Sequence, residues 1–201
     1  MDLVLATKNQ GKVAEMKRLL GGLDVRITSL ADHPEAPEAV EDGRTFLENA
    51  RKKARLVAEA TGILALADDS GLVVEALGGA PGVRSARYAG RQGDYEANNA
   101  RLIDEMRDVP DGKRGAAFVC VMVLTEPGGR EWHVEGRCEG EIGRELTGTN
   151  GFGFDPLFYV SSEGATMAEL PMDRKNEISH RGQALRCIEQ ILVDLLRKSE
   201  K

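Results

Sequence analysis

Cysteine is scarce in this chain of 201 residues: Cys120, Cys138 and Cys187 are odd in number and share no CxxC spacing. That excludes a disulfide framework and a cysteine metal cage, and it leaves reduced thiols as the expectation. Long apolar runs are missing as well. The longest uncharged one, Ala116 to Leu124, is far short of the roughly 20 residues that cross a bilayer. Met1-Asp2 leads at once into Leu3-Val4-Leu5-Ala6, without the basic, apolar and small-residue regions of a signal peptide. A soluble, cytoplasmic protein with no membrane partner is expected. There is no basic excess either: 27 Lys and Arg stand against 33 Asp and Glu, a formal charge of -6. A nucleic-acid polymer is therefore not the expected partner, because a phosphate backbone demands a basic face. A small phosphorylated ligand remains open, since a few cations converging on one pocket suffice to hold it. No HExxH, no supportable Ser-His-Asp order and no cysteine with a matching histidine is found, so nucleophilic catalysis is not indicated.

What is present suffices for a core. Hydrophobic residues make up 41% of the chain and no linker divides it, so residues 1-201 are expected to form a single domain burying about 70% of its unfolded surface. Leu3 to Ala6 reads as a buried strand, followed by a helix on which Val13, Met16, Leu19 and Leu20 recur before Gly21-Gly22. A second strand spans Val25 to Leu30. Thr45-Phe46-Leu47-Glu48 has the spacing of a capping box, opening a helix with Phe46, Ala50, Ala54, Val57 and Ala58 inward until Gly62. Ile63 to Ala67 is a strand running into Asp68-Asp69-Ser70-Gly71. A third helix is expected from about Asp94 to Arg107, and Ala116 to Thr125 with Glu131 to Cys138 reads as a hairpin around Pro127-Gly128-Gly129. From Ser179 to about Lys198 the pattern is an amphipathic helix with Leu185, Ile188, Ile191, Leu192 and Leu195 on one face. This is an α/β chain: a mixed sheet with helices around it.

Four places carry candidate chemistry. Thr7-Lys8-Asn9-Gln10-Gly11-Lys12 lies where a strand passes into a helix, so free N–H groups, the helix dipole and Lys12 favour an anion; a plain turn capped by Asn9 is the alternative. Asp68 and Asp69 are adjacent carboxylates that repel unless a cation joins them. Magnesium, held by one or two carboxylates with phosphate oxygens and water, suits that need, and Glu41 is a further ligand candidate. The alternative is a polar turn after a strand. Lys53 stands one turn after Asn49, where a lysine is usually solvated. Phe152-Gly153-Phe154-Asp155-Pro156 puts two of only five Phe in a glycine-rich loop, either to stack a base or to plug the core. Asp173-Arg174-Lys175 and Ser179-His180-Arg181 gather cations at a helix start, where acids are the rule; Ser179 as an ordinary N-cap is the simpler reading.

Taken together, these segments resemble the inosine/xanthosine triphosphate pyrophosphatase family over nearly the whole chain. The shared motifs are Thr7-x-Asn9-x-x-Lys12, Thr45-Phe46-x-Glu48-Asn49-Ala50-x-x-Lys53-Ala54, Ala67-Asp68-Asp69-Ser70-Gly71-Leu72, Leu77-Gly78-Gly79-Ala80-Pro81-Gly82, Gly151-Phe152-Gly153-Phe154-Asp155-Pro156 and Ser179-His180-Arg181-Gly182. The resemblance implies a two-lobed α/β fold with a long mixed central sheet flanked by helices, a nucleotide cleft between the lobes, and a homodimer. It implies Mg2+-dependent hydrolysis of non-standard purine nucleoside triphosphates (ITP, dITP, XTP) to the monophosphate and pyrophosphate. By resemblance, Asp69 is the acidic catalytic residue and a metal ligand, assisted by Asp68, with Glu41 as second ligand and Lys53 as supporting cation. Thr7, Lys8, Asn9, Gln10, Gly11 and Lys12 hold phosphates; Ser70, Phe152, Gly153, Phe154, Asp155, Lys175, His180 and Arg181 contact nucleotide. Two departures are visible: Val40 precedes Glu41 where members often carry a second acid, and Phe154 stands where Tyr is frequent. Septum-formation-inhibitor-like pyrophosphatases fit the motif set less well, and a nucleotide-binding module without turnover has no need of the clustered acids.

Overall fold

The computed structural model describes residues 1-199. Its strands are β1 (Asp2–Leu5), β2 (Arg26–Ser29), β3 (Leu64–Val74), β4 (Gly115–Thr125), β5 (Glu131–Ile142), β6 (Phe158–Val160) and β7 (Ala165–Thr166). They form one sheet in the order β2-β1-β3-β4-β5-β6-β7. β1 is parallel to β2 and β3, with Leu3 opposite Ile27 and Leu64, whereas β6 is antiparallel to β5 and β7. The sheet is therefore mixed, as expected. The flanking helices are α1 (Gln10–Leu20), α2 (Phe46–Thr61), α3 (Tyr95–Glu105), α4 (Met172–Ile178) and α5 (His180–Ser199). None of the described helices is long and apolar enough to cross a membrane.

Contacts divide the chain into two compact units. The first comprises Met1–Asp69, Cys120–Gly136 and the chain from Gly182. Here the period-two geometry of a strand does the sorting. Leu3, Leu5, Leu64 and Leu66 pack against Val13, Met16 and Leu20 of α1 and Leu185, Ile188 and Leu192 of α5. The alternate residues Val4, Ala65 and Ala67 pack against Ala50, Ala54, Val57 and Ala58 of α2. Small side chains on both partners let α2 lie close to the sheet. The second unit, Ser70–Val119 with Arg137–Arg181, has its own core, including Leu72, Leu102, Met106, Phe118, Phe154 and Phe158.

Helix ends follow the expected chemistry with one exception. Asn9 caps α1 by accepting from the Lys12 N–H, Asp94 caps α3, and Gly62 ends α2 in the left-handed region at φ 67°. Thr45 accepts from the Glu48 N–H at 3.1 Å, but Glu48 reaches the Arg44 N–H at 2.7 Å, so the box closes one residue early. Phe46 is half-buried, unlike the other inward residues of α2. The largest correction concerns Asp68-Asp69-Ser70-Gly71. These residues form no turn; β3 carries them in mid-strand and ends at Val74. The expected helix from Ser179 to about Lys198 is α5, and a separate short helix, α4, ends just before it at Ile178.

Candidate active site

Because adjacent strand residues face opposite ways, β3 separates the two acids instead of pairing them. Asp68 continues the Leu64, Leu66 face and meets α1: its Oδ2 lies 2.6 Å from Lys12 Nζ. Asp69 continues the Ala65, Ala67 face and meets α2, where its Oδ2 accepts from Asn49 Nδ2 at 2.9 Å and its Oδ1 lies 3.6 Å from Lys53 Nζ. Each carboxylate thus has its own lysine. Both acids are buried, which is tolerable only with such partners.

Lys53 is not the solvated face residue its position suggests. Its side chain is only 12% exposed, and its ammonium lies 2.8 Å from Glu41 Oε1 as well as near Asp69. Burial pushes the Lys53 ammonium down, but the carboxylates of Asp69, Asp68 and Glu41 outweigh it and hold it above its ordinary value. Burial lifts the Asp69 carboxyl above its ordinary value, with Lys53 and the Asn49 amide offsetting part of that rise. Asn49 went unnoticed as a site residue in the sequence. It is 1% exposed, and both ends of its amide are used: Oδ1 accepts from the Gly43 N–H at 2.8 Å while Nδ2 donates to Asp69. The available signal was a polar residue at an inward helical position, next to Ala50 and one turn before Lys53.

The donor set is suited to a magnesium ion. Glu41 and Asp69 already converge on one ammonium, so the site is built to neutralise a cation with two carboxylates. Among the described residues no group of three or more His, Cys, Asp or Glu is arranged to hold a metal. A two-carboxylate site fits magnesium, which keeps waters and takes further oxygens from phosphate, and does not fit a structural zinc.

Residues 7-12 form the entry to α1. Asn9 N–H donates to Thr7 Oγ1 at 3.2 Å, and Asn9 Oδ1 takes up the Lys12 N–H. The simple cap is therefore real and stands beside the Lys12–Asp68 pair. Lys8 is exposed and ion-paired with Glu38 at 2.9 Å, and Gln10 and Gly11 are exposed.

In the second unit, the loop 151-155 separates its two aromatics. Phe154 is core, 4% exposed and edge-on to Tyr88, so its side chain plugs and does not stack on a ligand. Phe152 is 42% exposed, with Lys175 Nζ 5.3 Å and the Arg181 guanidinium 5.8 Å from its ring centroid. Asp155 organises this group: its Oδ2 accepts from the Phe152 N–H at 2.7 Å and from Lys175 Nζ at 2.6 Å. Gly151 must be glycine, since φ is 79° and a Cβ would stand 2.1 Å from Asp155 Oδ2. His180 stacks on Phe118 at 5.0 Å, and Arg181 Nη2 donates to Ser70 Oγ at 3.3 Å. Arg174 belongs elsewhere, paired with Glu163 and Glu177 at the surface.

A family model, the Ham1 family, matches residues 3-191. The dITP/XTP pyrophosphatase of Geobacter sulfurreducens is 55% identical over 91% of this chain and 92% of its own. That of Desulforamulus reducens is 54% identical over 96% of each. Among solved structures, a HAM1 protein from Coxiella burnetii superposes with a TM-score of 0.91 at 43% identity, covering 96% of this chain and 99% of its own.

Proposed function

Because this chain belongs to the Ham1 family, we infer that it is a nucleoside-triphosphate pyrophosphatase, hydrolysing non-standard purine nucleotides (ITP, dITP, XTP) to the monophosphate and pyrophosphate. The observation that carries the reading is the convergence of Glu41 and Asp69 on one cation, with Asp69 fixed by a buried amide. The family match runs through both compact units, which supports reading the chain as one functional domain.

Asn49 holds one edge of Asp69, so the other edge, Oδ1, is the one that orients a water and accepts its proton. Glu41 and Asp69 would hold magnesium, which when bound neutralises charge on the phosphate oxygens. Lys12 and the N–H groups of Lys8, Gln10 and Gly11, which the turn leaves over, hold the distal phosphates, so that the oriented water is nearest the α-phosphorus and pyrophosphate leaves as one unit. Phe152 offers a stacking face for the base. His180 and Arg181 donate hydrogen bonds to the 6-oxo group of hypoxanthine or xanthine. Adenine presents an amino group there, and donor facing donor leaves buried groups unpaired. By the same resemblance the protein acts as a homodimer, which sedimentation of the purified chain checks, and its free cysteines suit the reducing cytoplasm.

A nucleotide panel with magnesium, scoring pyrophosphate against orthophosphate, tests the reaction. In ¹⁸O-water the label should enter inosine monophosphate and not pyrophosphate. Release of orthophosphate and inosine diphosphate would overturn the assignment.

A further inference from the structure

The loop proposed to read the base is tethered by a buried amide outside it. Asn99 on α3 is 6% exposed, and its Nδ2 donates to the Gly153 carbonyl at 3.0 Å. Its Oδ1 is buried and has no hydrogen-bond partner. The amide is therefore oriented by a single bond, and the orientation is unambiguous: only Nδ2 can face a carbonyl.

That one bond fixes a peptide plane. In a planar trans peptide the C=O and the following N–H point in opposite directions. With the Gly153 carbonyl drawn to Asn99, the Phe154 N–H is turned away from Asn99. No hydrogen bond joins that N–H to the described protein. Phe154 is nonetheless 4% exposed. Buried backbone donors are almost always satisfied, so this one has its partner in solvent or in a ligand. The lock is needed because Gly153 sits at φ 65°, a residue free of the Cβ that would otherwise resist a flip of the 153-154 peptide.

We propose that Asn99 is a positioning residue for base selectivity: it locks the 153-154 peptide so that the Phe154 N–H, a donor, faces the purine. This rests on the functional reading above, in which the loop meets the base. A donor there matches the 6-oxo acceptor of hypoxanthine and xanthine. The flipped peptide presents the Gly153 carbonyl instead, an acceptor, which matches the 6-amino group of adenine. Polarity of the reader is thus set from α3.

The test is Asn99→Asp, near-isosteric but with an acceptor in place of the donor, which repels the Gly153 carbonyl and attracts the Phe154 N–H. The ratio of kcat/KM for ITP over ATP should fall roughly 5- to 100-fold, the worth of one buried group left unpaired, through KM more than kcat. Asn98→Asp is the control. Asn98 is buried beside it but tethers another segment, with Oδ1 accepting from the Ala89 N–H and Nδ2 donating to the carbonyls of Ser85 and Ala86. It should lose thermal stability and keep its ITP preference. Equal loss of preference in both variants, or an unchanged ratio in Asn99→Asp, overturns the proposal. If Asn99→Asp does not fold, amide exchange on the wild type decides: the Phe154 N–H should be protected by a non-hydrolysable ITP analogue and not by the ATP one, and equal protection overturns it. A wild type without ITP preference would sink the functional reading itself, whereas a selective wild type with a selective Asn99→Asp would sink this inference alone.

Discussion

Replacing Lys53 by Met removes a charge while keeping an unbranched stem of similar reach, and the structure sets what should follow. Two carboxylates, Glu41 and Asp69, are left facing the space the ammonium held. Deleting one partner of a fully buried pair costs about 3–5 kcal/mol, because the other charge stays buried and uncompensated. Asp69 retains its bond from Asn49, and the Glu41 side chain is 33% exposed and keeps water. A loss of about 2–3 kcal/mol is the better figure. For a chain of this size that is a fall in Tm of roughly 4–12 °C. The informative part is magnesium. With the competing ammonium gone, the two carboxylates should bind the ion more tightly, and an ion at about 100 times its Kd returns about 2.7 kcal/mol. Thermal melts of both proteins in chelator and in magnesium read all four states. The variant should be the less stable in chelator and should gain the larger increment from magnesium. A deficit below about 1 kcal/mol, or equal magnesium increments, would refute the view that Lys53 stands where a divalent cation belongs.

Asp69→Asn should lower kcat by roughly 10²–10⁴, the loss of a general base, with circular dichroism unchanged; near-native turnover would move the role to another group. Gly151→Ala forces a Cβ to within 2.7 Å of Lys175 Nζ as well as onto Asp155, at a φ of 79°. It should raise KM for ITP about tenfold and cost about 1–3 kcal/mol in urea unfolding, and an unchanged KM would detach Phe152 from substrate binding. The raised Lys53 pKa gives a pH signature. A lysine held above its unfolded value contributes stability that is whole below that value, near 10.5, and is lost as pH rises through the folded one. Urea midpoints of the wild type and Lys53→Met should therefore differ steadily from pH 7 to 9 and converge at strongly alkaline pH.

Features set by neighbours in the chain were legible in the sequence. Asn9, Thr45 and Gly62 mark helix ends because capping is a contact between residues a few positions apart. The apolar faces of α2 and α5 follow from periodicity alone. β6 and β7 were not anticipated; they are too short to show a pattern and exist because β5 and each other supply their hydrogen bonds. The site was legible in composition and not in arrangement. Phe152 and Phe154 look alike in a glycine-rich loop, and packing against residues distant in sequence, Tyr88 among them, decides that one is core and the other open.

The two acids show where a further step was available from the sequence. Leu64, Leu66 and Asp68 share one strand face, and Ala65, Ala67 and Asp69 share the other, if the strand continues through the acids. Ending the strand at Ala67, with a polar turn as one reading of Asp68-Asp69-Ser70-Gly71, follows local composition. What reversed that preference lies far along the chain: Lys12 for Asp68 and Lys53 with Asn49 for Asp69. Once each carboxylate has a separate partner, the strand runs on to Val74 without burying an unpaired charge. The same separation sorts the ion pairs. Asp69 and Glu41 both meet the Lys53 ammonium, while Asp68 pairs with Lys12 at the entry to α1. Adjacent acids on a strand thus make their closest contacts on opposite sides, Asp68 with Lys12 and Asp69 with Lys53 and Asn49, while the Lys53 ammonium still feels both charges.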